Sequence, residues 1–506
     1  MDGVLKELLK NGKIDENLYK KLHTVGSQPG RLYGLAKVHK DTVPTRPVLS
    51  MPGTAYHSIA NQCTDWLSVV EECQIQSNTK LICDSLKTVE LGDDEEIISF
   101  DVSSLYTNVP VIEAIEHCAD LLYSGKYELP PVDKETFITL LKLGTCDVVM
   151  LTHDGYYRQT DGLAMGSPPA PLLANGWLSK FDPLIKGDAT IYFRYMDDIV
   201  RNIKRTRIDE KLAEINLLHE NLKFTIEKEI DGKLPFLDML LMRNGKTLSS
   251  TWYNKPTDTG LIMNYHALAP KRYKRSVVAG FVHRIYRACS SWALFHESLE
   301  KAKKILERNQ YPPPYYNSII HDTICKIVEP STTETETSNV EEKPTDKDGE
   351  ETEVPKKMIF IQYRGKVTED YCRALKKSEA PVNPIQTLRK LRTVLPSLKK
   401  SVEHKVRSGV VYKFDCPRCK SCYVGWTEDH ICTRWMDHKK PSRAVGKHLR
   451  NCGVLEQVSC EDMKVLASTT RGEQYGMTLE AIWQQKYLPT INTKEEYKSR
   501  TLTIVL

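Results

Sequence analysis

The chain has no apolar run near the ~18 residues that a membrane span needs, and its mean hydropathy of -0.42 agrees with that absence. No membrane partner is expected. The opening MDGVLKELLKNGK lacks the apolar stretch of a signal peptide, so a reducing compartment is expected, with the 14 cysteines serving as thiols or metal ligands rather than disulfides. Internal repeats are also missing. What is present is length: 506 residues, at ~150 per domain, suit about three domains. The net charge of +5 is small only because one segment masks the rest. From Glu329 to Pro355 there are ten acidic and two basic residues, which leaves +13 on the remainder, and a basic body implies a polyanionic partner. That segment has almost no apolar residue, so it reads as a disordered linker.

Three segments of the larger, N-terminal part carry carboxylates and glycines in an informative order. In EEIISFDVSSLYTNVP, Asp101 ends a short apolar run that reads as a buried strand. In ATIYFRYMDDIVRNIK, two β-rich arms flank Asp197 and Asp198, which is the grammar of a hairpin. Between them DGLAMGSPPAPLLANGW gives a Gly-rich loop, then Ser167 and two prolines as a helix cap and first turn. Carboxylates at strand tips suit a phosphoryl-transfer site that holds two hard cations ~3.5 to 4 Å apart.

FDVSSLYTNVP, GLAMGSPPAP and FRYMDDIV resemble the palm motifs of reverse transcriptases, in the right order, and RLYGLAKVHK and RPVLSMPG resemble the fingers motifs that hold the incoming nucleotide. LKFTIEKEIDGKLPFLDMLL followed by TWYNKPTDTG is similar to Penelope-like retroelements, relatives of telomerase; the resemblance covers roughly residues 20 to 310. It implies Asp101, Asp197 and Asp198 as Mg²⁺ or Mn²⁺ ligands, Tyr106 as a steric gate against the ribose 2′-hydroxyl, and Lys37, Lys40 and Arg46 on the triphosphate, with Gly166 in the nucleotide-binding loop. Ala164-Met165 stands before Gly166 where retroviral enzymes carry Gln.

Residues 271 to 308 hold ten basic against three acidic residues, with Val277, Val278, Phe281, Ile285, Ala288, Trp292, Phe295 and Leu299 at helical spacing for a core face. A basic helical region there resembles a thumb that grips a template and primer duplex through phosphates.

Towards the C-terminus six of the 14 cysteines fall between Cys416 and Cys460. Cys416-x2-Cys419 with His448-x3-Cys452 suits a tetrahedral structural zinc, with His438 a competitor for the fourth place and Cys422, Cys432 and Cys460 as buried thiols. The surrounding GVVYKFDCPRCKSCYVGWT resembles the GIY-YIG endonuclease signature, Val410-Val411-Tyr412 standing for the first triplet and Tyr423-Val424-Gly425 for the second, over roughly residues 408 to 495. The resemblance implies Tyr412, Tyr423, Arg434, His438, Glu480 and Asn492 as catalytic residues, with Glu480 holding Mg²⁺.

The expected architecture is therefore a multidomain α+β chain: a right-hand polymerase with fingers and palm at 1–260 and a helical basic thumb at 261–328, an acidic linker at 329–357, a basic connector at 358–407, and a small α/β GIY-YIG nuclease with a zinc knuckle at 408–506. The connector's Asn383–Arg407, with seven basic residues against one acidic, reads as a DNA-holding segment or a solvated helix. The expected activity is RNA-directed DNA polymerase plus DNA endonuclease of a Penelope-like retrotransposon in the nucleus, with element RNA as template, target DNA as primer and deoxynucleoside triphosphates as substrates. The alternative is a telomerase-like enzyme that extends existing DNA ends, its C-terminal module only binding nucleic acid.

Overall fold

The computed structural model describes residues 1–24, 26–37, 43–74, 79–146, 148–329, 357–378, 382–388, 402–469 and 473–493. The N-terminal part opens with helices α1 (Asp2–Lys10) and α2 (Glu16–Leu22), the second capped by the Asp15 carboxylate, which accepts from Leu18 N at 2.7 Å. Strands β1 (Gly30–Ala36) and β2 (Thr45–Ser50) form an antiparallel pair with Leu35 opposite Arg46. Helices α3 (His57–Leu67) and α4 (Thr79–Leu86) lead to the central strand β3 (Glu95–Val102). After it come α5 (Leu105–Asn108), α6 (Val111–Leu122) and α7 (Lys134–Thr145). The short strands β4 (Val149–Leu151) and β5 (Tyr156–Arg158) complete a sheet of order β2-β1-β4-β5.

Helices α8 (Ala170–Ser179) and α9 (Asp182–Lys186) precede the hairpin β6 (Tyr192–Tyr195) and β7 (Asp198–Lys204). Past α10 (Ile208–Ile215), strand β8 (Phe224–Lys228) closes a sheet of order β6-β7-β3-β8. β3 lies inside this sheet, so both its faces need apolar residues. Ile98, Phe100 and Val102 point into a core shared with α6 and α8, and Ile97 joins a second core with Val200 and the helices that follow. Asp101 is the one exposed residue of the strand, set between the buried Phe100 and Val102.

Strands β9 (Lys233–Phe236), β10 (Met239–Asn244) and β11 (Thr247–Trp252) form a meander, and helices α11 (Lys271–Ala288), α12 (Trp292–Arg308) and α13 (Pro313–Val328) pack on it through the second core. The expected apolar stripe across 271–308 is interrupted by Cys289–Ser291, with Ser291 capping α12. Trp292 is a correction to the expected core face: at the first position of α12 it is 49% exposed, its ring resting on Tyr286 and Phe295 at the edge of the core. Among the described residues no helix is long and apolar enough to cross a membrane.

The stretch expected as a connector contains a folded unit. Strands β12 (Lys357–Gln362) and β13 (Val382–Thr387) pair in parallel around helix α14 (Lys366–Lys377), so Asn383–Thr387 is strand rather than solvated helix. Residues 389–401 and the acidic 330–356 lie outside the described residues. The C-terminal module is an antiparallel sheet of order β15-β14-β16, from β14 (Val410–Asp415), β15 (Cys422–Thr427) and β16 (Met463–Ser468), with helices α15 (Ile431–His438), α16 (Ala444–Asn451) and α17 (Glu473–Tyr487). Its own core gathers Val410, Phe414, Ile431, Trp435 and Met463.

Candidate active sites

Three aspartates meet where β3 and the β6–β7 hairpin end. Asp101 stands directly opposite Asp198 in the antiparallel register. Tyr195 pairs with Asp198 across a two-residue turn, Met196-Asp197, in which Met196 takes a left-handed φ of 56°. Asp101 and Asp198 border a cavity of about 360 Å³ together with Glu227, Leu237, Tyr253 and Lys255. Asp198 keeps an exposed edge, but partial loss of water around its carboxyl raises it to about 6, and the charges of Asp197 and Asp101 push the same way, with Lys255 opposing them. Crowded carboxylates of this kind are the donor set of a hard divalent cation, whose charge would reverse the penalty.

Two polar neighbours escaped the sequence reading. Lys255 sits in TWYNKP, after the end of β11, and borders the same cavity as Asp198, a proximity visible only once the two sheets are packed together. Arg194 is the other, a charge inside the FRYMDD strand. Its Nε and Nη2 each donate to the Asp182 carboxylate at 2.7 Å, and it also donates to Asn175, which ties β6 to α8 and α9 beside the acidic turn. An arginine next to an Asp-Asp pair in a half-buried strand was the available signal.

Tyr106 lies on α5 just after β3. Its hydroxyl pKa is raised, first by burial and then by the Asp197 charge, with Arg46 acting in the other direction, so the three groups share one electrostatic neighbourhood. The Gly-rich loop is threaded between Tyr106 and β2. Leu163 N donates to Tyr106 O at 2.7 Å, and Leu49 N to Met165 O at 2.7 Å. Gly166, at φ 108°, has no room for a side chain, since a Cβ would stand 2.1 Å from Leu49 O. Ser167 corrects the expected cap: α8 begins at Ala170 after the prolines, and the Ser167 hydroxyl is buried with no hydrogen-bond partner among the described residues. Lys37 follows β1 and donates its backbone N–H to Pro44 O, while Lys40 lies outside the described residues.

The second constellation is built on β14 and β15. Tyr412 pairs with Gly425 and Phe414 with Tyr423, so the two tyrosine rings stack with centroids 6.2 Å apart. A Cβ on Gly425 would stand 2.7 Å from the Tyr412 hydroxyl, so only glycine lets that ring lie across β15. Helix α15 brings two partners to the same hydroxyl: Arg434 Nε donates to it at 3.1 Å, and His438 Nε2 lies 2.7 Å away. His438 is buried, and burial with the nearby Arg434 charge holds its pKa down to about 3. It is therefore neutral, and its Nε2 and the Tyr412 hydroxyl share one hydrogen bond, while Nδ1 has no partner among the described residues. Burial opposes the Arg434 charge, but Tyr412 and Asp437 outweigh it, so the guanidinium pKa is raised. Asp437, three residues on, was missed; it accepts from Arg434 at 3.3 Å and from Arg443 at 2.9 Å.

Helix α17 crosses β15, and Gly476 sits against the Trp426 ring where a Cβ would stand 2.1 Å from it. This close approach lets the Glu480 carboxylate accept from Trp426 N at 3.1 Å and from Gln484 at 3.3 Å. Asn492 is bound to the backbone of Val424 twice, accepting from its N–H at 3.0 Å and donating to its carbonyl at 2.8 Å.

Cys416, Cys419, His448 and Cys452 form a third cluster, their ligand atoms all within 4.8 Å of one another. The Cys419 and Cys452 sulfurs are 3.9 Å apart, and His448 Nε2 lies 3.2 and 3.5 Å from them. Ligands ~2.3 Å from a central ion in a tetrahedron would be about 3.8 Å apart, so this Cys₃His set could hold a metal ion. Hydrogen bonds from Ser421 bring the Cys419 thiol down to about 6, poising it to ionise. His438, the competitor for this site, is instead on Tyr412; Cys422, Cys432 and Cys460 stay outside the cluster and are half-buried rather than buried.

Residues 261–321, which span most of α11 to α13, match the sequence profile of the animal helix-turn-helix domain. No curated protein is similar in sequence to this chain at a significant level. Among solved structures, the chain is similar to a telomerase from Candida albicans in complex with a three-way-junction fragment of telomeric RNA, at 10% identity and a TM-score of 0.39, over 64% of this chain and 61% of that one. It is likewise similar to the Sicinivirus 3Dpol RNA-dependent RNA polymerase, at 11% identity and a TM-score of 0.38, over 62% and 71%. The chain thus spans about three fifths of the length of that telomerase.

Proposed function

We propose that this chain is the protein of a Penelope-like retroelement, an RNA-directed DNA polymerase with a GIY-YIG endonuclease, which nicks DNA and copies the element RNA from the exposed 3′-hydroxyl in the nucleus. The observation that carries the polymerase reading is the register that sets Asp101 opposite Asp198 beside Asp197. Divalent cations held there, Mg²⁺ or Mn²⁺, would activate the primer hydroxyl and neutralise charge at the leaving pyrophosphate. The residues of the chain do the rest. Arg46 with Lys37 and Lys40 would hold the triphosphate, the Tyr106 ring would stand against the ribose, and Gly166 would let the nucleotide approach the backbone.

In the nuclease, Arg434 stabilises negative charge at the Tyr412 oxygen and on the cleaved phosphate, so Tyr412 can position the attacking water and take its proton as the phenol's own proton passes to His438 Nε2. His438 orients the phenol, Tyr423 flanks it, Glu480 would hold the cation that polarises the phosphate, and Asn492 fixes the edge of β15. Zinc fits the Cys₃His cluster as a structural ion.

A primer-extension assay on an RNA template tests the reading. Asp197→Asn should lower extension by ~10²-fold or more while the fold stays intact by thermal melting, because the metal pair loses a charged ligand. Extension at the wild-type rate would remove the polymerase assignment. A plasmid-nicking assay separates the reading from a telomerase-like enzyme, which would extend ends and leave supercoiled DNA uncut.

A further inference from the structure

Helix α16 joins the Cys₃His cluster to the nuclease constellation. Its far end supplies His448 and the adjoining Cys452. Its near end is pressed on the C-terminus of α15: a Cβ on Gly446 would stand 2.4 Å from Lys440 O and 2.6 Å from His438 O, so glycine is required for the contact. Arg450 reinforces it, donating to Lys439 O at 2.7 Å. Arg443 reaches Asp437 at 2.9 Å, and Asp437 also holds Arg434. The helix is therefore clamped at both ends, one end by metal ligands and the other by residues in contact with the Tyr412 site.

Its outward face is cationic. Arg443, Lys447 and Arg450 follow a four-then-three spacing that puts them on one side of the helix, and all three are exposed. Arg418 and Lys420, exposed on the loop between Cys416 and Cys422, extend the patch around the cluster. From Arg434 to Arg450 there are six basic residues and one acidic. Three thiolates with a divalent ion carry a single negative charge, which one cation offsets; the excess calls for an external polyanion.

We infer that the outward face of α16, with the metal-binding loop, grips the phosphate backbone of duplex DNA beside the nuclease site, and that the metal ion sets how the helix is presented. The inference rests on the nuclease reading. Duplex DNA is favoured over RNA because the face is continuous with residues assigned to DNA cleavage, and because the charges span ~10 Å of a rigid helix that a duplex, with one phosphate per ~1.7 Å of axis, can meet at several points.

The test uses the full chain carrying Lys420→Glu and Lys447→Glu, two lysines that adjoin the metal ligands in sequence but whose ammonium groups make no hydrogen bond or ion pair among the described residues. Metal content by elemental analysis and the thermal melt should match wild type. In plasmid nicking, KM for DNA should rise about tenfold with kcat within twofold, and primer extension should not change. Binding of duplex DNA by a Glu480→Ala background, followed by anisotropy across a salt series, should lose about 2 from the slope of log K against log salt, at ~0.9 per phosphate contact. An unchanged KM in a chain that nicks would overturn the inference and leave the nuclease reading standing. If the wild type never nicks, the nuclease reading fails, and the binding slope alone decides the inference: a loss of about 2 sustains it, an unchanged slope overturns it. A loss confined to single-stranded RNA would also overturn it.

Discussion

At the scale of residues, two ionisable groups make opposite demands on pH. Asp198 is an acid whose folded value, about 6, lies above its ordinary 3.8, so its ionisation costs stability, and that cost develops as pH rises through this window. Asp198→Asn in metal-free protein should therefore raise the melting temperature near pH 7.5 by about 2 °C, with little change near pH 4, as differential scanning fluorimetry would register. A fall at both pH values would mean the carboxylate is a structural partner rather than a strained one. His438 is a base held down to about 3 against an ordinary 6.5, so the unfolded chain takes up a proton that the folded chain refuses, and stability is lost as pH falls from about 6.5 towards 3. His438→Gln should flatten that acid limb in urea titrations between pH 6.5 and 4.5. An unchanged slope would mean the buried ring is not the source.

At the scale of elements, the sites depend on turns and crossings more than on strands. The Met196-Asp197 turn, the Gly166 loop on β2 and the Gly476 crossing of α17 over β15 each place one functional group by bringing backbone close to something that leaves no space for a side chain or a longer loop. The metal loop acts in the same way, holding α16 to the β14–β15 connection through Cys416, Cys419, His448 and Cys452. Removing the ion with a strong chelator should unfold α16 and the loop first, and natively purified protein should hold about one zinc per chain by elemental analysis. Protein purified without zinc, and with hydrogen exchange in α16 unaltered by chelator, would end that role.

At the scale of the whole molecule, the two constellations share no residue, yet the modules touch. The backbone of Ser27 meets the His430 imidazole, its N–H 3.1 Å and its carbonyl 2.7 Å from Nε2, and Gly26 presses on the Glu428 carbonyl where a Cβ would stand 1.8 Å from the oxygen. His430 precedes α15, the helix of Arg434 and His438, so the C-terminal module is placed against the N-terminal part rather than merely tethered. The ligand sets remain separate. Glu480→Ala should thus abolish DNA nicking while extension of a supplied primer stays near normal, and Asp198→Asn should do the reverse. Equal loss of both activities in either variant, with the fold intact, would make the Ser27–His430 contact a coupling element.

What could be read from residues alone was the chemistry that local patterning encodes. Asp101 at the end of an apolar run, Asp197 and Asp198 between β-rich arms, and Cys-x2-Cys with His-x3-Cys all announce themselves because strand alternation, turn composition and ligand spacing are short-range properties. The parallel pairing of β12 with β13 was not legible, since a crossover unit is defined by a partner more than twenty residues away and its sequence is basic enough to pass for a solvated segment. Nor were Arg194, Lys255, Asp437 and the glycine-dependent seating of α16. Each acts through a neighbour from another element, and the close approach that gives it a role exists only when helices and sheet are packed together.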